Sequence, residues 1–232
     1  MMTLLRRLLV AALIAGSASG VLLGFAQVAF ITPLILEAEA HERHDSSRQE
    51  SAQPAWAPKN GVERNAYTVL FSTLAGFGFA LLLNAGMLLG GRSGIKQGLL
   101  WGCAGFAVFS LAPALGLPPE LPGVPAANLL GRQTWWLGTA LATAIGLSCI
   151  AFSKRPWSRA LGIAALVVPH LIGPPSGMVL GESPVAHLER TFIAASLLTM
   201  LGFWVILGTL SSYLHHKLLA STESDASLTR YT

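Results

Sequence analysis

Residues 8–36 read LLVAALIAGSASGVLLGFAQVAFITPLIL, a run of 29 positions that contains no Asp, Glu, Lys, Arg or His. As an α-helix this stretch would be about 43 Å long, which exceeds the roughly 30 Å hydrocarbon core of a bilayer. The apolar core of a secretory signal is only about 7–15 residues long. We therefore interpret the stretch as an uncleaved membrane span, with cleavage near Ala18 as the alternative.

The composition of the whole chain predicts an integral membrane protein surrounded by lipid. Of its 232 residues, 53% are hydrophobic and only 11% are charged, whereas soluble domains carry about 25% charged residues. None of the apolar blocks alternates with the period of a strand, and backbone in lipid must satisfy its own hydrogen bonds. The sequence therefore predicts an all-α bundle of about six transmembrane helices within residues 1–220, at about 8–36, 66–91, 97–117, 133–152, 160–173 and 191–213.

The fifth block is the weakest of the six because it has only 14 residues and ends in Pro169-His170 followed by GPPSG. It is interpreted as a short or broken helix, and a five-span protein is the alternative. Residues 37–65 are predicted to form an extracytoplasmic loop. The polar residues 221–232 are predicted to form a disordered cytoplasmic tail.

The distribution of charge orients the six spans. When the amino terminus is placed in the cytoplasm, the inner side receives nine Lys and Arg residues and two acids. The outer side receives six Lys and Arg residues and nine acids. Every short inner connection is then basic, as the positive-inside rule requires, so both termini are predicted to be cytoplasmic. The net charge of +4 thus reflects membrane topology, and no nucleic-acid partner is predicted.

The segment EAEAHERHD, residues 37–45, directly follows the first span. If the helix continues, Glu37, His41 and His44 lie at positions i, i+4 and i+7 on one face. Two imidazoles and a carboxylate suit borderline divalent cations such as Co²⁺, Ni²⁺ or Zn²⁺, so these residues are candidate metal ligands. The alternative is a solvated helix of mixed charge.

The segment GLPPELPG, residues 116–123, holds one carboxylate, Glu120, among three prolines. Proline fixes φ, so this loop is predicted to have a defined shape at the outer mouth of the bundle. Glu120 is a candidate metal ligand there. Equally, it is a candidate partner for Arg132, which opens the fourth span and would then form a structural ion pair.

Other polar side chains lie within or beside the apolar blocks. His170 is an ionisable residue deep in a block and is a candidate metal ligand, or alternatively a histidine that is hydrogen-bonded to a backbone carbonyl. Asn84 and Gln27 are interpreted as polar contacts between helices. The residues His215-His216-Lys217 are interpreted as an anchor at the inner surface, with a metal site as the alternative.

The sequence contains no phosphate-binding Gly-Lys-Ser/Thr loop, no HExxH and no GxSxG. Without a recognisable nucleophile and base, the chain is predicted not to be an enzyme. It is also predicted to bind no permanent cofactor.

Several motifs resemble the CbtA family, predicted cobalt transporter subunits of bacteria. They are ITPLILEAE, AWAPKNGVERNAYT, LAPALGLPPELPGVPAANLLGRQTWWLGT and LVVPHLIGPP, and they occur in order through the spans. Glu37, Glu120, Arg132 and His170 lie within these motifs, whereas His41 and His44 receive no role from the resemblance. The resemblance implies a multi-pass protein of the bacterial inner membrane, with Co²⁺ as the transported ion. It also implies a CbtB-like partner, a subunit with one span and a histidine-rich end.

We therefore expect a subunit that moves Co²⁺ inward, with Glu37, Glu120 and His170 in contact with the ion. One alternative keeps transport but changes the ion to nickel or zinc. Another is a non-transporting membrane scaffold or a metal-sensing partner, in which the polar residues only hold helices together.

Overall fold

The computed structural model describes residues 2–46, 56–90, 94–122, 127–175 and 186–228, with side chains for 5–41, 56–90, 94–122, 127–175 and 186–217. These residues form helices and no strand, which confirms the predicted all-α fold. The α-helices are α1 (Met2–Ala26), α2 (Thr32–Ser46), α3 (Val62–Gly90), α4 (Ile95–Phe106), α5 (Ala112–Ala114), α6 (Leu129–Phe152), α7 (Pro156–Ile172) and α8 (Ala186–Leu228).

Within the residues that the structure describes, five helical stretches are long and apolar enough to cross a membrane, so the protein is a multi-pass membrane protein. They are Leu5–His41, Val62–Gly90, Ile95–Ala114, Leu129–Phe152 and Ala186–Lys217. The apolar helix α7 has 17 residues and is shorter. It corresponds to the block that the sequence predicted to be the weakest.

Two π-helical turns, Gln27–Ile31 and Ala107–Leu111, interrupt the first and third of these stretches. Each turn ends two residues before a proline, Pro33 or Pro113. Proline has no N–H for the ordinary helical bond and clashes with the carbonyl four residues earlier. A π turn widens the helix at that point, which allows the helical path to continue through each proline.

The chain divides into two compact units. The first contains Met1–Phe25, Val62–Gly105 and Leu201–Thr232, and the second contains Ala26–Gly61 and Phe106–Met200. Each unit is assembled from segments that are distant in sequence.

Glycines bring the helices of the first unit into close contact. Gly16, Gly20 and Gly24 of α1 are spaced four residues apart and lie against α3. A Cβ atom on Gly20 would lie only 2.5 Å from the Ser72 carbonyl oxygen. In the same unit, α4 packs against α8 in a similar way, with Gly98 of α4 lying against α8. Helices in lipid pack through such small residues because the backbones can then approach closely.

We expect Gly76→Ala to destabilise the protein and Gly78→Ala to leave it unchanged or slightly more stable. A Cβ atom on Gly76 would overlap the Gly16 carbonyl oxygen and lie 2.9 Å from the Cα of Gly20, whereas Gly78 has no atom within 4 Å of that position. Overpacking costs about 1–3 kcal/mol, which exceeds the gain of up to about 1 kcal/mol in helix propensity. Thermal unfolding of both variants in detergent measures the difference, and equal midpoints would contradict the close contact.

In the second unit, α6 and α7 form an antiparallel hairpin. Gly131 at the start of α6 lies against Pro175, which follows α7, and the glycines at the centre, Gly146 and Gly162, lie against each other. The helix α7 thus runs beside α6 and returns to the end at which α6 begins. At about 1.5 Å per residue, its 17 residues reach about 26 Å.

An apolar cluster in the same unit joins the first π turn, α2, the loop after α5 and the first turns of α8. Its buried members are Ile31, Ala38, Leu121, Leu188 and Phe192. The neighbour of Leu121, Glu120, contacts Arg132 in the first turn of α6. The helix α8 therefore starts at the end where α6 starts, which favours a path with six crossings over the five-span alternative.

In the described residues, two helices extend beyond the predicted ends of their spans. The helix that leaves the first span continues to Ser46, so the predicted loop at 37–65 begins with helix α2. At the other terminus α8 continues to Leu228, where the sequence predicted a disordered tail. No proline or glycine lies between residues 209 and 228, so nothing in the chemistry of this segment stops the helix.

Candidate functional site

The proline-rich loop after α5 is connected to the end of that helix by backbone hydrogen bonds. The Leu117 N–H donates to the Pro113 carbonyl at 2.8 Å, and the Gly116 N–H donates to the same oxygen at 3.2 Å. Pro118 and Pro119 follow, and their rings restrict the backbone that leads to Glu120. The loop thus has a defined direction up to the carboxylate.

Glu120 forms an ion pair with Arg132, with 2.6 Å between Oε2 and Nη2. The Glu120 side chain is 12% exposed and that of Arg132 is 31% exposed. Asn128 caps α6 because its side chain accepts a hydrogen bond from the Gly131 N–H at 3.2 Å. This cap places Arg132 in the first turn of α6, opposite the loop. The ion pair that the sequence suggested as one of two alternatives is therefore formed.

The ion pair lines a cavity of about 470 Å³ in the second unit. Most of its walls are apolar, and Phe109 and Trp136 form an aromatic part with 6.3 Å between ring centroids. Its polar side chains come from the second π turn, the loop, α6 and α8: Ser110, Glu120, Arg132, Gln133 and Ser196. A carboxylate at the wall of a largely apolar cavity is poorly hydrated, so electrostatic interactions with it are strengthened.

His170 lies half-buried in the last turn of α7. Its ring meets the Trp135 indole edge to face, with 6.1 Å between centroids. The same indole lies against Gly116, where a Cβ atom would be 2.7 Å from its Cζ2 atom. Trp135 therefore separates His170 from the loop that carries Glu120.

Glu37 and His41 are both exposed on α2. The Nδ1 atom of His41 lies 2.8 Å from the Glu37 carbonyl oxygen. A carbonyl oxygen only accepts, so Nδ1 is the donor in this contact. In a neutral imidazole with this tautomer, Nε2 carries the lone pair that ligates metals. The backbone of His44 is helical, and its side chain lies outside the described residues.

The apolar cluster brings α2 close to the proline-rich loop after α5, because Ala38 of α2 and Leu121 of the loop are both buried in it. Glu37 and Glu120 are the sequence neighbours of these two residues. Within the described side chains, no group of three or more His, Cys, Asp or Glu residues is close enough to hold a metal ion. The candidate ligands therefore share one unit without converging on one point.

Sequence reasoning missed the position of Trp135 between Gly116 and His170. The motif RQTWW indicated only a tryptophan pair at the membrane interface. It also missed the contact between Asn84 and Ser211 in the first unit, because these two residues are 127 positions apart in the chain. No spacing rule relates residues on helices that are distant in sequence.

Comparison with protein families matches residues 5–216 to the CbtA family, described as a probable cobalt transporter subunit. No curated protein and no solved structure matches the chain. The match covers nearly the whole chain, including, to within one residue, the five membrane-crossing stretches found in the described residues. It agrees with the resemblance of the four motifs, and the chain belongs to the CbtA family.

Proposed function

We propose that this protein is a subunit of a cobalt uptake transporter in the bacterial inner membrane. It moves Co²⁺ inward together with a small one-span, histidine-rich subunit, and both of its termini are cytoplasmic. It has no catalytic role. Family membership supports a cobalt transporter subunit, and the observation that carries the mechanism is the Glu120–Arg132 pair at the cavity wall.

The Glu120 carboxylate exchanges one partner for another during transport: the Arg132 guanidinium is replaced by the metal ion. Arg132 neutralises Glu120 while no metal ion is bound, so the cavity does not contain an uncompensated carboxylate. A divalent cation carries twice the charge of the guanidinium and displaces it from the carboxylate. Because 31% of the Arg132 side chain is exposed, the displaced guanidinium can turn to solvent. When the cation moves on, the pair forms again.

The exposed face of α2 supplies cations to this step. Glu37 and His41 are exposed there, and His44 follows three residues later. Acidic groups raise the local concentration of cations at the mouth of a transporter. The Nε2 atom of His41 is available as a weak ligand, since its Nδ1 proton is held by the Glu37 carbonyl. His170 receives the ion after Glu120, beside Trp135.

Uptake of ⁵⁷Co²⁺ tests the proposed function. Cells that express this chain with the one-span subunit are expected to accumulate the isotope, and cells that express neither are not. His170→Ala should lower accumulation, whereas His187→Ala, which changes an exposed histidine of α8, should not. Competition by equal concentrations of Ni²⁺ and Zn²⁺ identifies the preferred ion. Absence of accumulation in folded, membrane-inserted protein would contradict cobalt transport.

A second candidate function is a membrane scaffold or metal-sensing partner that does not transport. The Glu120–Arg132 ion pair is the observation that favours this scaffold function, because a purely structural carboxylate would also have a charged partner. Purified protein in liposomes distinguishes the two functions when an inside-negative potential is imposed. Such a potential favours entry of a divalent ion by about 4.6 kcal/mol per 100 mV. Binding of Co²⁺ without flux in the presence of both subunits would support the scaffold.

A further inference from the structure

Trp135 lies in the second turn of α6, and its indole N–H is left unpaired in the interior. The Nε1 atom is buried and has no hydrogen-bond partner within the described residues. An unpaired buried donor is destabilising, and the N–H of a buried tryptophan usually finds a partner. Phenylalanine would fill an apolar space without this penalty. The feature that this position uses is therefore the size of the indole ring.

The far edge of the indole holds the start of the proline-rich loop. A Cβ atom on Gly116 would overlap Cη2 of Trp135 and lie 2.7 Å from its Cζ2 atom. The φ angle of Gly116 is not positive, so the backbone at this position would accept alanine. Glycine is required here because the indole occupies the space of a side chain.

The short segment between Gly116 and Glu120 is stiff. Two of its three residues are prolines, which fix their own φ angles. The third, Leu117, donates its N–H to the Pro113 carbonyl at 2.8 Å. A displacement at Gly116 is therefore passed on to the carboxylate and is not absorbed by the loop.

The helix α6 holds this loop at two places, one turn apart. Arg132 holds Glu120 through the ion pair, and Trp135 holds Gly116 by packing. The His170 ring of α7 meets the indole with 6.1 Å between centroids, so the second helix of the hairpin supports the indole. A metal ion that replaces the guanidinium breaks only the first of the two contacts. The packing on Gly116 does not depend on charge and remains.

We propose that Trp135 is a positioning residue that keeps Glu120 at the cavity wall while the carboxylate exchanges Arg132 for a divalent cation. It acts on the carboxylate through Gly116 and the prolines that follow. The identity of the exchanging ion as Co²⁺ rests on the proposed function, whereas the control of Glu120 by the indole does not.

The first test needs no metal ion. A double-mutant cycle of Gln variants measures the interaction between Glu120 and Arg132 from free energies of unfolding in metal-free detergent. We expect Gly116→Ala to remove most of this interaction, because the added Cβ separates the loop from the indole. The matched control is Gly138→Ala in α6, where an added Cβ has no atom within 4 Å, and it should leave the interaction unchanged. An undiminished interaction in Gly116→Ala would overturn the proposal.

The second test uses ⁵⁷Co²⁺ and separates positioning from stability. Equilibrium binding to the purified full chain, per folded protein, should weaken about 10–100-fold in Trp135→Phe, as it does when an outer-shell partner of a metal ligand is lost. Trp157→Phe changes an exposed tryptophan of α7 and should not alter binding. A tryptophan with only a structural role would give a lower unfolding midpoint and an unchanged affinity, which would contradict the proposal.

A size exchange tests the contact itself. Phenylalanine is shorter than tryptophan, so Gly116→Ala/Trp135→Phe has room for the added Cβ. The double variant should bind Co²⁺ about tenfold more tightly than Gly116→Ala alone, since residues in contact are energetically coupled. Equal binding by these two variants would show that the indole does not control the loop.

The outcomes distinguish this inference from the proposed function. If the wild type binds no Co²⁺ but Gly116→Ala still removes the Glu120–Arg132 interaction, cobalt transport fails and the positioning role stands. If the wild type and folded Trp135→Phe bind Co²⁺ equally well, the positioning role fails alone. Size-exclusion chromatography identifies folded variants, and Trp135→Phe replaces Gly116→Ala in the first test if that variant does not fold.

Discussion

Glu120→Gln is expected to reduce ⁵⁷Co²⁺ uptake at least tenfold, to near the level of cells without the protein. Glutamine has the same shape but no charge, so the cavity loses the anionic ligand that exchanges Arg132 for a metal ion. Hydrogen bonds to charged groups contribute about 1.5–3 kcal/mol, and about 1.4 kcal/mol corresponds to a factor of ten. Initial uptake rates at several Co²⁺ concentrations, normalised to membrane-inserted protein, measure the effect.

Two variants separate loss of the ligand from loss of the ion pair. Glu63→Gln changes an exposed acid of the first turn of α3 and should leave uptake unchanged. The double variant Glu120→Arg/Arg132→Glu keeps an ion pair and should regain stability, but the carboxylate moves to α6. We expect it to remain inactive. Normal uptake by Glu120→Gln would remove this residue from the mechanism.

Arg132→Gln is expected to lower the free energy of unfolding by about 1–3 kcal/mol in the absence of divalent metal. Breaking a buried pair costs about 3–5 kcal/mol, whereas an exposed pair contributes about 0–1 kcal/mol. Glu120 is 12% exposed and Arg132 is 31% exposed, so this pair lies between the two limits. The carboxylate that remains has lost its counter-ion in a mostly apolar cavity.

Addition of Co²⁺ should stabilise Arg132→Gln more than the wild type, because the metal ion no longer competes with the guanidinium. Saturation to 100 times the dissociation constant adds about 2.7 kcal/mol. Thermal unfolding in detergent with Co²⁺, and with Mg²⁺ as a hard-cation control, measures the difference. Equal stabilisation of both proteins by Co²⁺ would show that the metal ion does not bind at Glu120.

Much of the fold was predictable because lipid imposes strict rules on the chain. The uncharged run at residues 8–36 determined a membrane helix, since no other backbone structure crosses lipid without a closed barrel. The weakness of the fifth block was also predictable from its 14 residues and from Pro169. The sequence did not predict that α7 returns the chain to the end where α6 begins, because this is visible only in the contacts of α7 with α6.

The candidate site was only partly predictable. The prolines on both sides of Glu120 indicated that this residue was held in place. Its two possible partners were a metal ion and Arg132. The sequence could not decide whether Glu120 pairs with Arg132 or with a cation, since Glu120 and Arg132 are twelve positions apart and the intervening loop determines whether they meet. Asn84 and His215 were each considered alone and were interpreted as a helix contact and as part of an anchor.

The amino-acid sequence by itself determined that this protein is a bundle of membrane helices and that it belongs to the CbtA family. Both conclusions depend on local composition and on the order of motifs, which the chain carries without folding. Only the tertiary structure decided that Glu120 is paired with Arg132 and that Asn84 of α3 lies beside Ser211 of α8. Such facts depend on which faces of distant helices meet, and packing of the whole bundle determines that.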